Sequence, residues 1–544
     1  MRFLEDRILL EIIWSRMINA LDEAATVLYR TAFSPVVRES NDFACIVTDA
    51  RGLALAQSAA SMPSFTWTLP RTVRHFLRYL PAEKLSPGDA LVLNDPWMGT
   101  GHLNDICIMV PIFRDGRIVG YAASAAHSPD IGGRLRSFDN REIFEEGLQI
   151  PPMKIHLAGE ANQTAYSFIR QNVRMPDEVI GDIEAQIAAN NLAGMRVLEL
   201  MSDFRLESLD DVGDAIHTIS ENAMRDAIRN IGSGTYRERL SLTELVDHPV
   251  ELEAALTIDS DKAEIVVDYE GTSRQVAAPC NSVLAFTTAY TIYALRCVLA
   301  PHLPNNEGCY RPIEVRAPEG SVLNPTYPAA TSVRYWFAHR LPTMIFDALG
   351  QVVPERVRAQ SGQPPWVLLI SGRRKDGRNF FLTDFEFGGL GAASGDDGPS
   401  CIAFPASAAN SPIEIQEQVA PIIFRRRELR PDSGGTGQWR GGHGQVVEIE
   451  IGAVSSARMS IYPSLVSGAA RGLRGGGDGA SGMVLLNGKT FNFQVPVELS
   501  EGDRLQMHLP GGGGYGRADD RSVEADAFDM KAGLIARTAA GAMQ

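Results

Sequence analysis

The chain has 544 residues, 44% apolar and 22% charged, a globular profile too long for one simple core; about 150 residues per domain gives three or four units. Lys plus Arg number 51 against 66 Asp plus Glu, a formal net charge of −15 without a basic run, which excludes the usual nucleic-acid-binding face. No run reaches the roughly 18–20 apolar residues of a membrane span, and Met1–Asp6 turns acidic before an export segment forms; the expectation is cytoplasmic.

Residues 7–32 carry apolar positions at helical spacing, Ile13, Met17, Leu21 and Leu28, with Ala24 and Ala25 in the same stripe. Residues 42–49 read as a strand, and Arg51–Gly52 turns the chain into a second apolar run. Further strands are predicted at 91–93, 106–113 and 118–123. Helices follow at 177–201, opened by Pro176–Asp177, and at 208–231. Alternation along 252–258 and 263–269 predicts a hairpin, and 282–300 a buried helix. The last third is glycine-rich with period-two runs, such as Val447-Ile449-Ile451 and 491–499, and reads as antiparallel β structure.

The fold class expected is therefore mixed α+β and multi-domain. An α/β region over 1–205 carries the candidate site, an α+β region covers 206–350, and a glycine-rich β region spans 351–520. A charged, Ala-rich tail covers 521–544 and reads as a loosely docked helix.

Several catalytic signatures fail. The six cysteines, with no CxxC spacing, encode neither a zinc ribbon nor a redox pair and read as reduced thiols. Gly488-Lys489-Thr490 resembles the end of a phosphate loop, but Met483 stands where that loop needs glycine, so no ATP site is expected. Gly511–Gly514 leads into a turn and reads as structural. Neither GxSxG nor HExxH occurs.

One constellation survives. A loop at 94–105 delivers His102 and Asp105 just before a strand, and the next strand ends at His127, with Asp130 three residues on. Asp42 opens an earlier strand. Imidazole and carboxylate together suit Zn, Mn or Fe, and two His with one or two carboxylates leave positions open for substrate. Glu142, Glu145 and Glu146 lie close by in sequence and are candidate general bases.

The chain resembles the hydantoinase B/oxoprolinase family. The resemblance is carried by NDPWMGTGHLNDI (94–106), HSPDIGG (127–133), EIFEEGLQIPPMKI (142–155), DEVIGDIEAQIAAN (177–190) and DYEGTSRQV (268–276). PNNEGCYRPIEV (304–315), DSGGTGQWRGGHG (432–444) and LPGGGGYG (509–516) continue it, in family order along almost the whole chain. It implies a divalent metal held by Asp42, His102, Asp105 and His127, with Asp130 orienting His127 or the turn after it. It also implies a role as the B-type component of an ATP-dependent hydrolase of small cyclic amides: hydantoin, 5-oxoproline or a lactam. ATP would be used by a separate A-type subunit, in a hetero-oligomer with two or more copies of each. The same resemblance admits acetone- or acetophenone-type carboxylases, and a non-catalytic scaffold for an A-type partner is the third reading. Many members carry a second His after the first in the HxxDIGG segment, where this chain has Ser128; that departure argues against carrying over any one member's substrate.

Overall fold

In the computed structural model, residues 2–535 are described, except 135, 136, 245 and 247. The chain forms two compact units. The first comprises 1–237, 252–341 and 406–408; the second comprises 238–251, 342–405 and 409–544.

The first unit is built on a seven-stranded sheet. Its strands are β1 (Phe43–Asp49), β2 (Ala54–Gln57), β3 (Ala90–Leu93), β4 (Asp105–Arg114), β5 (Arg117–His127), β6 (Met153–Leu157) and β7 (Glu160–Ala161), in the order β2-β1-β5-β4-β3-β6-β7. The neighbouring strands β1, β5 and β4 are buried along almost their whole length, so helices must cover both faces of the sheet. On one face lie the helices Arg7–Thr31 and Pro176–Asp203. Ile13, Met17, Leu21, Leu28, Ala185, Ala189 and Val197 pack there with Phe43, Cys45 and Val47. On the other lies Pro63–Tyr79, whose Phe65, Leu69, Val73 and Phe76 meet Ala44, Ile46 and Ala125. The alternation of side chains along β1 is thus an alternation between two cores rather than between core and water.

Apart from Val250 and Glu251, the same unit contains the expected hairpin, Val250–Asp259 with Glu264–Asp268, extended in parallel by Ile313–Arg316, and the buried helix Leu284–Leu299.

The second unit is antiparallel. Two four-stranded sheets enclose a core that includes Trp366, Leu368, Ile370, Val447, Ile449, Met459 and Leu505. Beside them, extended glycine segments hydrogen-bond in several directions: Gly512 N–H donates to Gly442 O (2.9 Å), Gly435 N–H to Gly512 O (2.8 Å), and Gly513 N–H to Gln360 O (2.8 Å). Neighbouring backbones leave no room for a side chain, and a Cβ on Gly512 would sit 2.2 Å from Leu390 O. The glycine run at 511–514, read from its sequence as a structural turn, serves to pack extended backbones together. The tail forms the helix Val523–Lys531, held more firmly than a loose helix: its buried Asp529 pairs with Arg521 (2.6 Å) and Arg440 (3.0 Å). Residues 536–544 of the tail lie outside those described.

Candidate metal centre

Register builds the site. β1 and β4 both run antiparallel to β5, so the start of β1, the start of β4 and the end of β5 coincide at one edge of the sheet. Asp105 is the register partner of His127, and Phe43, next to Asp42, is the partner of Ala126. His127 N–H donates to the Asp42 carbonyl (3.0 Å), closing the ladder one residue further. Three residues far apart in sequence therefore meet because strand pairing leaves them no alternative.

His102 arrives on the loop between β3 and β4. Asp95 Oδ1 accepts the N–H groups of Trp97 (2.8 Å) and Met98 (3.0 Å), which turns the chain. Asn94 fixes the loop by donating to Leu103 O (2.8 Å) and Leu148 O (2.9 Å) and accepting from Ile150 N–H (2.6 Å). Gly101 has φ 107°, and a Cβ there would lie 2.6 Å from Arg334 Cδ, so glycine is required.

The groups converge on one oxygen. Asp105 Oδ1 stands 2.7 Å from His102 Nε2 and 3.1 Å from His127 Nδ1, and the imidazole centroids are 5.0 Å apart. One ligand atom from each of His102, Asp105 and His127 lies within 4.8 Å of the others, and all three residues are buried. Asp42 Oδ2 is 3.9 Å from His127 Nδ1. Neighbouring ligand atoms on one cation, at bonds of about 2.1 Å, stand about 3 Å apart, so these spacings fit a single divalent ion.

The proton count points the same way. Burial, helped by the nearby Arg334 cation, drives His102 down to about 3, so its ring is neutral near pH 7 with one N–H. Yet both its nitrogens face acceptors: Nδ1 the Ser332 carbonyl at 3.2 Å, Nε2 the Asp105 carboxylate. One proton cannot serve both, and a cation beside Nε2 resolves the conflict. Burial disfavours the Asp105 carboxylate, but His102 and Arg334 outweigh it and hold the group well below the usual carboxylate range. Arg334 Nη2 donates to Asp105 Oδ2 (2.6 Å), Thr100 Oγ1 donates to the same oxygen (2.5 Å), and Arg334 Nε donates to Thr100 O (3.0 Å). Its guanidinium lies 3.9 Å from the Phe286 ring centroid. Oδ2 is thus engaged by the protein, while Oδ1 faces the histidines.

Of the three carboxylates read as catalytic candidates, Glu146 holds the segment beside His102, and Glu145 and Asp130 fix neighbouring turns. Glu146 is buried and accepts from Thr331 N–H (2.9 Å) and Ser332 N–H (2.8 Å), fixing the segment that presents Ser332 O and Arg334. Burial pushes its carboxyl up to about 7. Glu145 sits in a short turn, accepting from Arg141 N–H (2.6 Å) and pairing with Arg134 (3.2 Å). Asp130 accepts from Gly132 N–H (2.9 Å), Met175 N–H (3.1 Å) and the Arg174 side chain (3.0 Å), tying the turn after β5 to the start of a helix. Neither Glu145 nor Asp130 touches the His102–Asp105–His127 cluster. Ser128 donates through Oγ to Asp130 O (2.8 Å), so it shapes the same turn.

Arg334, Thr100 and Ser332 were not found from the sequence. The signal for Arg334 was present: a lone cation amid the apolar residues of Val333–Ala338 has to find a buried partner.

The class this defines is a helix-covered antiparallel sheet that carries a buried His102–Asp105–His127 cluster able to hold a metal ion at its strand ends. The chain belongs to the hydantoinase B/oxoprolinase family, whose model matches residues 6–518. An uncharacterized protein of Methanocaldococcus jannaschii is 33% identical over 97% of this chain and 93% of its own length. A putative B-type subunit of a D-/L-hydantoinase from a Pseudomonas species is 30% identical over 98% of this chain and 93% of its own. A 5-oxoprolinase of Dictyostelium discoideum is 28% identical over 94% of this chain, which spans only 40% of that protein. Among solved structures, the fold matches the ATP-dependent caprolactamase of Pseudomonas jessenii (TM-score 0.90, 24% identity, 97% of this chain and 94% of that one). It also matches an acetone carboxylase chain (TM-score 0.87, 20% identity, 99% of this chain and 79% of that one). Among the described residues no helix is long and apolar enough to cross a membrane.

Proposed function

We propose that this chain is the B-type component of an ATP-dependent cyclic-amide hydrolase, acting on a hydantoin, 5-oxoproline or lactam ring activated by a separate A-type subunit. The observation that carries the reading is the convergence of His102, Asp105 and His127, with Asp42 beside them, at one sheet edge. A ring amide resists water because its carbonyl is resonance-stabilised and its amine leaves poorly. Phosphorylation of the amide oxygen by the partner gives an imidate whose phosphate departs readily. A divalent metal, when bound, supplies Lewis acidity at the substrate.

The chain's own residues prepare that site. Ser332 O fixes the His102 tautomer with the lone pair on Nε2, and Arg334 with Thr100 holds Asp105 so that one oxygen faces inward. Glu146 anchors Thr331 and Ser332, and its elevated pKa lets it take or give a proton near neutral pH. Asp130 and Glu145 support the reading by fixing the loops on either side.

The hydrolase is preferred to a carboxylase because relatives named as a hydantoinase component and 5-oxoprolinase reach 28–30% identity, and among the solved structures the caprolactamase stands at 24% against 20% for the acetone carboxylase chain. The test is reconstitution. The chain, an A-type subunit, ATP and a panel of cyclic amides should give ring-opened acid in step with ATP hydrolysis, and His127→Ala should abolish ring opening. Carboxylation of a ketone with no ring opening of any amide would overturn the proposal.

A further inference from the structure

Asp42, Asp105 and His127 alternate in step with Ala44, Cys107 and Ala125, which pack on the sheet face covered by the helix Pro63–Tyr79. The opposite face of the same strands is covered by the helix Pro176–Asp203. Most of that helix's buried side is apolar, with Val179, Ile183, Ala189 and Val197. Yet Asp182, Gln186 and Asn190 are buried there too, at 3%, 1% and 1% exposure. Spaced four residues apart, they form one polar stripe along about 12 Å of the helix.

Every member of the stripe is bonded, and each bond reaches a strand that carries a metal group or the segment leading into one. Asp182 Oδ1 accepts the N–H groups of Phe33 (2.7 Å) and Ser34 (3.1 Å). Ser34 caps the turn Pro35–Arg38 by accepting from Val37 N–H (3.4 Å), and Val36 O in that turn accepts from Asp42 N–H (3.3 Å). Gln186 Oε1 accepts from the Ser124 hydroxyl (3.0 Å) on β5. Asn190 Nδ2 donates to the same Ser124 Oγ (3.0 Å) and to Ile108 O (3.3 Å) on β4. Ser124 and Ile108 are register partners, each three residues, about 10 Å, along its strand from His127 and Asp105. Gly181 lets the segment lie close, since a Cβ there would stand 2.4 Å from the Phe33 ring.

Apolar packing alone would hold this helix on the sheet, but apolar contacts are non-directional and tolerate sliding. A slide of one turn breaks every bond of the stripe in a dry interior, where an unpaired polar group is costly. The stripe therefore fixes how the ends of β1, β4 and β5 stand relative to one another. A metal ion demands that precision, because its ligand distances tolerate errors of only about 0.2 Å.

We propose that Asp182, Gln186 and Asn190, with Ser124, are positioning residues of the metal centre, setting the spacing of Asp42, Asp105 and His127 from the far face of the sheet. This role rests on the reading of that cluster as a metal centre. His102 is set separately, by Asn94 and Ser332.

The test is titration of the metal-stripped, full-length chain with Co²⁺, reading affinity by competition with a chelator and geometry from the visible spectrum of the bound ion. Ser124→Ala and Asp182→Leu should each bind about tenfold more weakly or worse, with an altered spectrum and the circular dichroism of wild type. Asp182→Asn keeps an oxygen for the Phe33 and Ser34 N–H groups and should recover most of the loss. Val197→Ala removes apolar packing from the same helix, about 22 Å along its axis from Asp182, and should melt lower with unchanged affinity and spectrum. The proposal is overturned if Ser124→Ala and Asp182→Leu bind Co²⁺ like wild type. It is equally overturned if Val197→Ala weakens binding as much as they do, since affinity would then follow general stability. Should Asp182→Leu not fold, Ser124→Ala decides the question. A wild-type chain that takes up no Co²⁺ would refute the metal centre itself, and the positioning role with it.

Discussion

Replacing Arg334 by Met removes the cation that the protein places against Asp105 while keeping most of the side-chain volume. The Asp105 side chain is 1% exposed and that of Arg334 5%, so solvent screens the pair little. Breaking a buried pair by deleting one partner costs about 3–5 kcal/mol, because the remaining charge stays desolvated. Losing the contact with Phe286 adds about 0.5–2 kcal/mol, partly recovered by the Met side chain. In metal-stripped protein we therefore expect a loss of about 3–5 kcal/mol, a large part of a typical domain's stability. With a divalent cation bound, its charge compensates Asp105 and the loss should shrink by more than half. Urea unfolding of both proteins, with and without chelator, gives the values, and hydrogen exchange over residues 105–127 shows whether the loss is local. A loss below about 1 kcal/mol in stripped protein, or the same loss in both states, would refute the electrostatic role assigned to Arg334.

The Glu146 carboxyl is raised to about 7, above an unfolded value of about 4.3, so its contribution is full below about pH 4.3 and lost as pH rises through 7. Relative to wild type, Glu146→Gln should therefore gain about 3 kcal/mol between about pH 4.5 and 8, and a flat stability difference across that range would contradict the burial argument. Gly512→Ala puts a Cβ 2.2 Å from Leu390 O; a loss above about 4 kcal/mol or failure of the second unit to fold is expected, to be read by calorimetry, and near-wild-type melting would discount the close glycine packing. The isolated chain should not bind ATP, since Met483 breaks the phosphate-loop spacing; micromolar binding by the pure protein would undo the division of labour with an A-type partner.

Much of the first unit was legible because its periodicities are strong. The helices predicted at 7–32, 177–201 and 208–231 stand at Arg7–Thr31, Pro176–Asp203 and Asp210–Arg229, each within a few residues. The helix Pro63–Tyr79 was not foreseen: aromatic and β-branched residues and an internal Pro70 mask its period, and tertiary packing on the sheet sustains it. The run 491–499 alternates like a strand, but only Val497–Leu499 pairs; Phe491 and Phe493 instead pack against the core from a turn. At the site, His102, Asp105 and His127 were visible because HxxD recurs at two strand ends. Asp42 came from the family resemblance together with its place at a strand mouth. Arg334 and Ser332 approach from about 230 residues away, a contact that no local pattern encodes.

The proposed function requires Asp42, His102, Asp105 and His127 to hold one divalent metal. Metal analysis of purified wild type, His102→Ala and His127→Ala, alongside circular dichroism, tests it most directly. About one Zn, Mn or Fe per wild-type chain, at least about a tenfold loss in either variant, and unchanged secondary structure are expected. Stoichiometric metal retained in both folded variants would contradict it.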